Sequence, residues 1–129
     1  MTLIRSTERC RYEARAVAAV AGGGVTPIEA KVIIAGTVRV PPENAAALRP
    51  HQDAMLAASR AEDGCLSYSY AFDVQDPGLI RVFEIWRDQA AVDAHFKAPH
   101  MATWRAANAE LGVFDRRLSL YEVASERAL

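Results

Sequence analysis

The chain contains little of what marks a metal, redox or nucleic-acid-binding protein. Its 129 residues include two cysteines and three histidines, and the formal net charge at pH 7 is -1. Cys10 and Cys65 lack the close spacing of metal or redox motifs, so we interpret them as small hydrophobic residues in a reducing compartment. Nucleic-acid binding normally requires clustered Lys and Arg, whereas charges of both signs are interspersed here. The composition therefore predicts no nucleic-acid partner.

Long apolar runs are also missing. No run approaches the roughly 18 apolar residues that cross a bilayer. Arg15 interrupts the apolar stretch near 16–21, whereas a secretory signal needs an unbroken apolar run of roughly 7–15 residues. We therefore expect a cytoplasmic protein without a membrane partner.

Apolar residues nevertheless make up 51% of the chain, enough for the core of one small domain. Residues 1–28 differ from the rest, because a short helical pattern there is broken by three glycines at 22–24. A phosphate-binding glycine loop would follow a strand and precede a helix, which is the opposite of the order here. We predict that residues 1–28 form a poorly ordered N-terminal extension and that residues 29–129 form the folded domain.

Alternating or β-branched patterns predict strands at 31–40, 65–72, 79–86 and 114–123. Proline and glycine at 77–78 make a turn between the second and third strands. Strict alternation in the second strand places Tyr68 on one face and Cys65 on the other.

Helical spacing predicts a helix over 43–61 with Leu48, His51 and Met55 facing inward. Pro50 should kink or restart this helix, because proline removes a hydrogen-bond donor. A second helix begins after the capping residue Asp88 and ends before Pro99. A third helix from residue 100 buries one apolar stripe, consisting of Met101, Trp104 and Leu111.

The element order β-α-β-β-α-(α)-β is that of a ferredoxin-like α+β fold, with helices on one face of an antiparallel sheet. The first three strands carry apolar or uncharged residues on both faces, although a solvated sheet face should be polar. We therefore expect a homodimer in which the sheets of two copies pack face to face.

Three segments carry a family resemblance: Glu62–Tyr68, Phe83–Asp88 and Asp93–His100. Their order and spacing resemble the antibiotic biosynthesis monooxygenase family, in particular its quinol-monooxygenase-like branch, over residues 31–123. The resemblance implies a dimeric α/β barrel with a pocket between sheet and helices in each subunit. It also implies oxidation of quinols, anthrones or related phenols by molecular oxygen, without a metal or other cofactor.

Two departures narrow what the resemblance implies. Anthrone-oxidising members carry an amide four residues before the strand-3 tryptophan, where this chain has Val82, although Trp86 is kept. The asparagine and histidine of the haem-degrading branch correspond to Ala35 and Arg105, so a haem enzyme is not expected.

The residues suggest a chemistry for such a pocket. A period of two places Glu84 and Trp86 on one face of the third strand. The family resemblance implies that the next helix covers this face, so that His95 would meet them there. Histidine is the side chain best suited to act as a base near neutral pH, and a carboxylate can fix its tautomer. We predict His95, Glu84 and Trp86 as catalytic residues. Predicted substrate-binding residues are Tyr68, Phe96, His100, Val82 and Met55.

Other interpretations remain open. His95 could be a structural histidine, and Glu84 could form an ion pair with an arginine. A metal set of His95, His100 and Glu84 is disfavoured, because Pro99 separates the two histidines and they need not face each other. An isomerase acting through an enolate would use the same base. A dimeric small-molecule-binding or stress-response module would bind a ligand without turnover.

Overall fold

The computed structural model describes residues 31–129, so the predictions for residues 1–28 lie outside the described residues. The elements follow the predicted order. They are β1 (Val32–Arg39), a 3-10 turn (Pro42–Asn44), α1 (Ala45–Arg60), β2 (Cys65–Phe72), β3 (Leu79–Trp86), α2 (Gln89–Lys97), α3 (Pro99–Glu110) and β4 (Phe114–Glu122). None of the described helices is long and apolar enough to cross a membrane.

The four strands form one antiparallel sheet in the order β2-β3-β1-β4. The helices cover one face, where α1 contacts β2 and α3, and α2 contacts β3. This is the ferredoxin-like α+β fold that the element order predicts. The central strands β1 and β3 supply much of the core, including the buried side chains of Ile34, Val82 and Trp86.

The strand register determines which side chains of the sheet face the helices; we call this row of side chains the floor. Tyr68 pairs with Glu84, Glu84 with Ile34, and Ile34 with Leu120, so these four residues form one row across the sheet. Residues paired across neighbouring strands have side chains on the same face. A buried carboxyl group therefore lies in an otherwise aromatic and aliphatic row.

The second strand departs from the predicted alternation. Its pairing with β3 shifts between Cys65 and Ser67, where a bulge inserts an extra residue. Cys65 therefore pairs with Trp86 and is buried on the same face as Tyr68. The predicted orientation of Cys65 was wrong, because a period of two holds only where the pairing is regular.

The inward face of α1 also differs from the prediction. Its buried residues are Leu48, Gln52, Met55 and Ser59, whereas His51 is exposed. Residues three and four positions after Leu48 both lie near its face, and the orientation of the helix on the sheet selects the second. The helix does not restart at Pro50 but continues through it.

Two short helices meet at a sharp junction. Asp88 caps α2 by accepting a hydrogen bond of 2.8 Å from a first-turn amide, as predicted. Ala98 is extended because it precedes Pro99, which begins α3. This junction turns His95 and His100 toward the same carboxylate, although nothing in the spacing around Pro99 requires the two histidines to face each other.

The sheet face opposite the helices is partly apolar. Ile33 pairs with Ile85 and Tyr121, and Ala35 pairs with Phe83 in the next row of this face. Phe83 is 44% exposed and Tyr121 is 56% exposed. The helices formed by residues 31–129 all lie on the other side of the sheet.

Candidate active site

A pocket of about 220 Å³ lies between the sheet and the two short helices. Its lining residues are Ile34, Tyr68, Tyr70, Glu84, His95, Phe96, Met101, Arg116, Leu118, Ser119 and Leu120. The volume is below the roughly 300–1,000 Å³ of sites for drug-sized ligands. The pocket therefore suits a small ligand and has a few polar groups among apolar walls.

His95 lies on the buried side of α2 and is fully buried. Its Nδ1 lies 2.7 Å from Glu62 Oε1, and its Nε2 lies 3.4 Å from the hydroxyl of Tyr68. An Nδ1–H that donates to the carboxylate leaves the Nε2 lone pair facing the pocket. Burial lowers the pKa of His95, and the hydrogen bond with Glu62 acts in the opposite direction. The imidazole is therefore suited to be a neutral base.

Aromatic rings surround this imidazole. The ring centroid of Trp86 lies 4.5 Å from that of His95, and the Tyr68 centroid lies 5.3 Å away. Tyr68 stacks in turn on Tyr70 at 5.7 Å. Burial raises the pKa of the Tyr68 hydroxyl, so this group stays protonated and can donate a hydrogen bond.

Glu84 occupies the middle of the floor. Its Oε2 accepts a hydrogen bond of 2.9 Å from Trp86 Nε1. Burial raises the pKa of Glu84 to about 7, although the hydrogen bonds from Trp86 and Tyr68 partly offset this effect. Glu84 and His95 thus lie on either side of Trp86, but the carboxylate that binds the imidazole is Glu62.

Glu62 was not predicted from the sequence, although it begins the first segment that carries the family resemblance. It lies in the turn between α1 and β2. Its Oε1 is 2.7 Å from His95 Nδ1 and 2.7 Å from His100 Nε2. His100 also lies 3.3 Å from the hydroxyl of Ser59. One carboxylate therefore links α2 and α3 behind the pocket.

Glu62, His95 and His100 have the chemistry of a metal-binding set, and their ligand atoms lie within 4.8 Å of one another. Ligands about 2.1 Å from a tetrahedral metal are about 3.4 Å apart. The separations of 2.7 Å from Glu62 to each imidazole are instead those of charge-assisted hydrogen bonds. The geometry thus fits a hydrogen-bonded cluster better than an empty coordination sphere.

The other predicted site residues do not all line this pocket. Phe96 lines the pocket and is 41% exposed. Trp86 and Val82 are buried in the core and do not line it. Met55 and His100 line a separate cavity of about 120 Å³, which His51 and Trp104 also border.

Arg116 on β4 also lines the pocket and was not predicted. It stands in a polar run, 115–117, that carries no periodic or motif signal. Only the pairing of β4 with β1 brings this segment beside the floor of the pocket.

A wider groove of about 580 Å³ lies beside the first half of α1. Its lining includes Phe72, Pro50 and one carboxylate, Asp53, but no histidine. The pocket of about 220 Å³ is therefore the candidate active site, because it combines the buried His95 with apolar walls.

Comparison with known sequences supports a family assignment. A model of the antibiotic biosynthesis monooxygenase family matches residues 31–107. A Mycobacterium tuberculosis protein provisionally named as a monooxygenase, Rv0793, is 41% identical over 70 residues, which is 54% of this chain and 68% of that protein. An uncharacterised Synechocystis protein, sll1783, is 28% identical over 98 residues, which is 76% of this chain and 67% of that protein.

Solved structures share the fold. A Deinococcus radiodurans structure, provisionally described as an antibiotic biosynthesis monooxygenase, has a TM-score of 0.71 and 32% identity over 76% of this chain and 97% of that chain. The structure of Rv0793 has a TM-score of 0.61 and 32% identity over 77% of this chain and 97% of that chain.

Proposed function

Since the chain belongs to the antibiotic biosynthesis monooxygenase family, we propose that it is a cofactor-independent monooxygenase that oxidises a small electron-rich aromatic with molecular oxygen. The observation that carries this proposal is the buried His95, whose Nδ1 is held by Glu62 and whose Nε2 faces the pocket. The volume of about 220 Å³ favours a quinol over a polycyclic anthrone.

The proposed reaction begins when His95 Nε2 removes a proton from a ring hydroxyl. The anion passes one electron to oxygen, and the resulting radicals combine to form a carbon–oxygen bond. The peroxide regains the proton from His95. The ring carbon then loses its hydrogen as a proton and becomes a carbonyl as the O–O bond breaks, and this proton and the departing hydroxide form water. A quinol and O₂ thus yield a hydroxyquinone and water.

The surroundings of His95 support this chemistry. Glu62 stabilises the imidazolium that forms, in the way a carboxylate supports a catalytic histidine. The hydroxyl of Tyr68 can donate a hydrogen bond to the developing oxyanion. The imidazole of His95 is fully buried among aromatic rings, and the exclusion of water from this side chain strengthens its interaction with Glu62.

Oxygen uptake with a panel of hydroquinones and anthrones, with and without a metal chelator, tests the proposal. We expect uptake with one or more hydroquinones that the chelator leaves unchanged. His95→Ala should reduce the rate by roughly 10²–10⁴-fold, as expected for loss of a general base. His51→Ala is the matched control, because His51 is exposed on α1. No uptake over the entire panel, or an undiminished rate in His95→Ala, would contradict the proposal.

An isomerase acting through an enolate is the second candidate. The 3.4 Å approach of the Tyr68 hydroxyl to His95 Nε2 favours it, because one group can take a carbon-bound proton while the other hydrogen-bonds to the enolate oxygen. Deuterium exchange into a small carbonyl compound under argon, without oxygen uptake on the quinol panel, would favour the isomerase.

We also propose that the chain works as a homodimer through the sheet face that the helices leave uncovered. Ile33, Ile85, Phe83 and Tyr121 give this face a continuous apolar centre. A second copy would remove this apolar area from water, which is the main favourable term in such associations.

A further inference from the structure

Two neighbouring arginines of β4 point in opposite directions. Alternation along a strand places Arg116 on the same face as Leu118 and Leu120, and all three line the pocket. Arg117 lies on the opposite face with Asp115, which accepts a hydrogen bond of 2.8 Å from its Nε. The same charge is therefore present on both sides of one strand, once on the exposed Arg116 at the lining of the pocket and once on the opposite face.

Arg116 differs from the other arginines of the sheet in its partners. Arg39, Arg81 and Arg117 each form an ion pair with an aspartate, at 3.0, 3.0 and 2.8 Å. Within residues 31–129, Arg116 forms no ion pair with any acidic side chain. No carboxylate of the described residues therefore forms an ion pair with this guanidinium at the pocket lining.

The two acidic groups near the pocket, Glu84 and Glu62, do not fully neutralise the charge of Arg116. Glu84 is the carboxyl group of the pocket lining, and burial raises its pKa to about 7 although the charge of Arg116 lowers it. Near neutral pH, Glu84 is thus partly protonated and only partly offsets the guanidinium. Glu62 lies behind His95 and is engaged by two imidazoles.

We propose that Arg116 is an anion-recognition site and that the ligand of the pocket is a hydroxylated aromatic ring carrying a carboxylate. The carboxylate would accept paired hydrogen bonds from the guanidinium, whose planar donors match its two oxygens. The ring would lie over Tyr68 and Leu118, with its hydroxyl directed to His95. The reaction of that hydroxyl rests on the proposed function, whereas the binding of the carboxylate by Arg116 does not.

Binding measured by calorimetry under argon tests the site without turnover. The probes are 1,4-dihydroxybenzene and 2,5-dihydroxybenzoate, which differ by one carboxylate. The full-length protein should bind the carboxylate at least about tenfold more tightly, as expected for a hydrogen bond between charged groups. Arg116→Gln should abolish the difference, and Arg116→Lys should retain part of it.

Arg117→Gln is the matched control, because it removes the same charge from the adjacent residue on the opposite face. It should retain the full preference for the carboxylate. An equal loss in Arg116→Gln and Arg117→Gln, with matching melting temperatures, would overturn the proposal, because it would indicate a general field effect. No preference in the unmodified protein would overturn it as well.

The two proposals fail separately. The protein could prefer the carboxylate through Arg116 and yet take up no oxygen with any quinol. That result would support the binding site and contradict the monooxygenase function. Oxygen uptake by neutral and acidic quinols with equal kcat/KM and equal affinity would contradict the binding site alone.

Discussion

Glu62 Oε1 lies 2.7 Å from Nδ1 of His95, although 33 positions separate the two residues in the chain. This contact decides which imidazole nitrogen bears the proton in the neutral side chain. It leaves Nε2 as the acceptor that faces Tyr68 and the pocket. The carboxylate that orients the proposed base thus comes from the turn before β2 and not from β3.

Loss of the Glu62 charge should reduce turnover more than it reduces stability. Glu62→Gln retains the shape of the side chain but can no longer support an imidazolium or enforce the tautomer of His95. We expect kcat to fall by about 10²-fold or more, in line with such changes in other histidine–carboxylate pairs. Asp63→Asn is the control, because it removes the same charge from the neighbouring exposed residue. Equal rates in the two variants would show that Glu62 does not position the base.

The buried Glu84 should make stability depend on pH. Burial raises the pKa of Glu84 from 4.5 to about 7 in the folded protein, so the folded state binds this proton more tightly than the unfolded chain does. The contribution of protonated Glu84 to the free energy of unfolding is complete below about pH 4.5 and declines as pH rises toward 7. The difference between the two pKa values limits this loss in the free energy of unfolding to about 3 kcal/mol.

Glu84→Gln removes the ionisation and retains an acceptor for Trp86 Nε1. The free energy of unfolding of the variant, relative to the unmodified protein, should therefore increase between pH 5 and pH 8. Urea denaturation of both proteins at the two pH values measures this difference. A difference that does not change with pH would contradict the assigned burial effect.

A charge at Phe83 should prevent the proposed association of two sheets. Phe83→Asp would place an unpaired carboxylate in the apolar centre of the interface, where its desolvation is costly. We expect a monomer by light scattering at concentrations where the unmodified chain is a dimer. Phe72→Asp is the control, since Phe72 is also partly exposed but lies near the end of β2. A dimer that persists in Phe83→Asp would place the interface elsewhere.

Any side chain at Gly36 should destabilise the fold. Its φ is +151°, and a Cβ there would collide with the backbone carbonyl oxygen of Arg117. We expect Gly36→Ala to cost about 1–3 kcal/mol in the free energy of unfolding, the range for a strained backbone position. Gly112→Ala tests the conformational part alone, because its φ is +74° but its Cβ would meet Pro41 only at ordinary contact distance. A smaller loss in Gly36→Ala than in Gly112→Ala would contradict this account.

The sequence alone determined the elements and their order, because the signals for them are local. Alternation predicts β2 and β3, the proline–glycine turn predicts the hairpin, and a capping aspartate predicts the start of α2. A period of two also places Glu84 and Trp86 on one face of β3. These features depend on residues only a few positions apart.

Only the tertiary structure decided which groups meet. The bulge in β2 turned Cys65 inward, and the orientation of α1 buried Gln52 instead of His51. The turn before β2 brought Glu62 to His95, and the pairing of β4 with β1 brought Arg116 to the pocket. These contacts join residues far apart in the chain, and they depend on strand register and helix orientation, which are set by packing of the whole domain and not by local propensity.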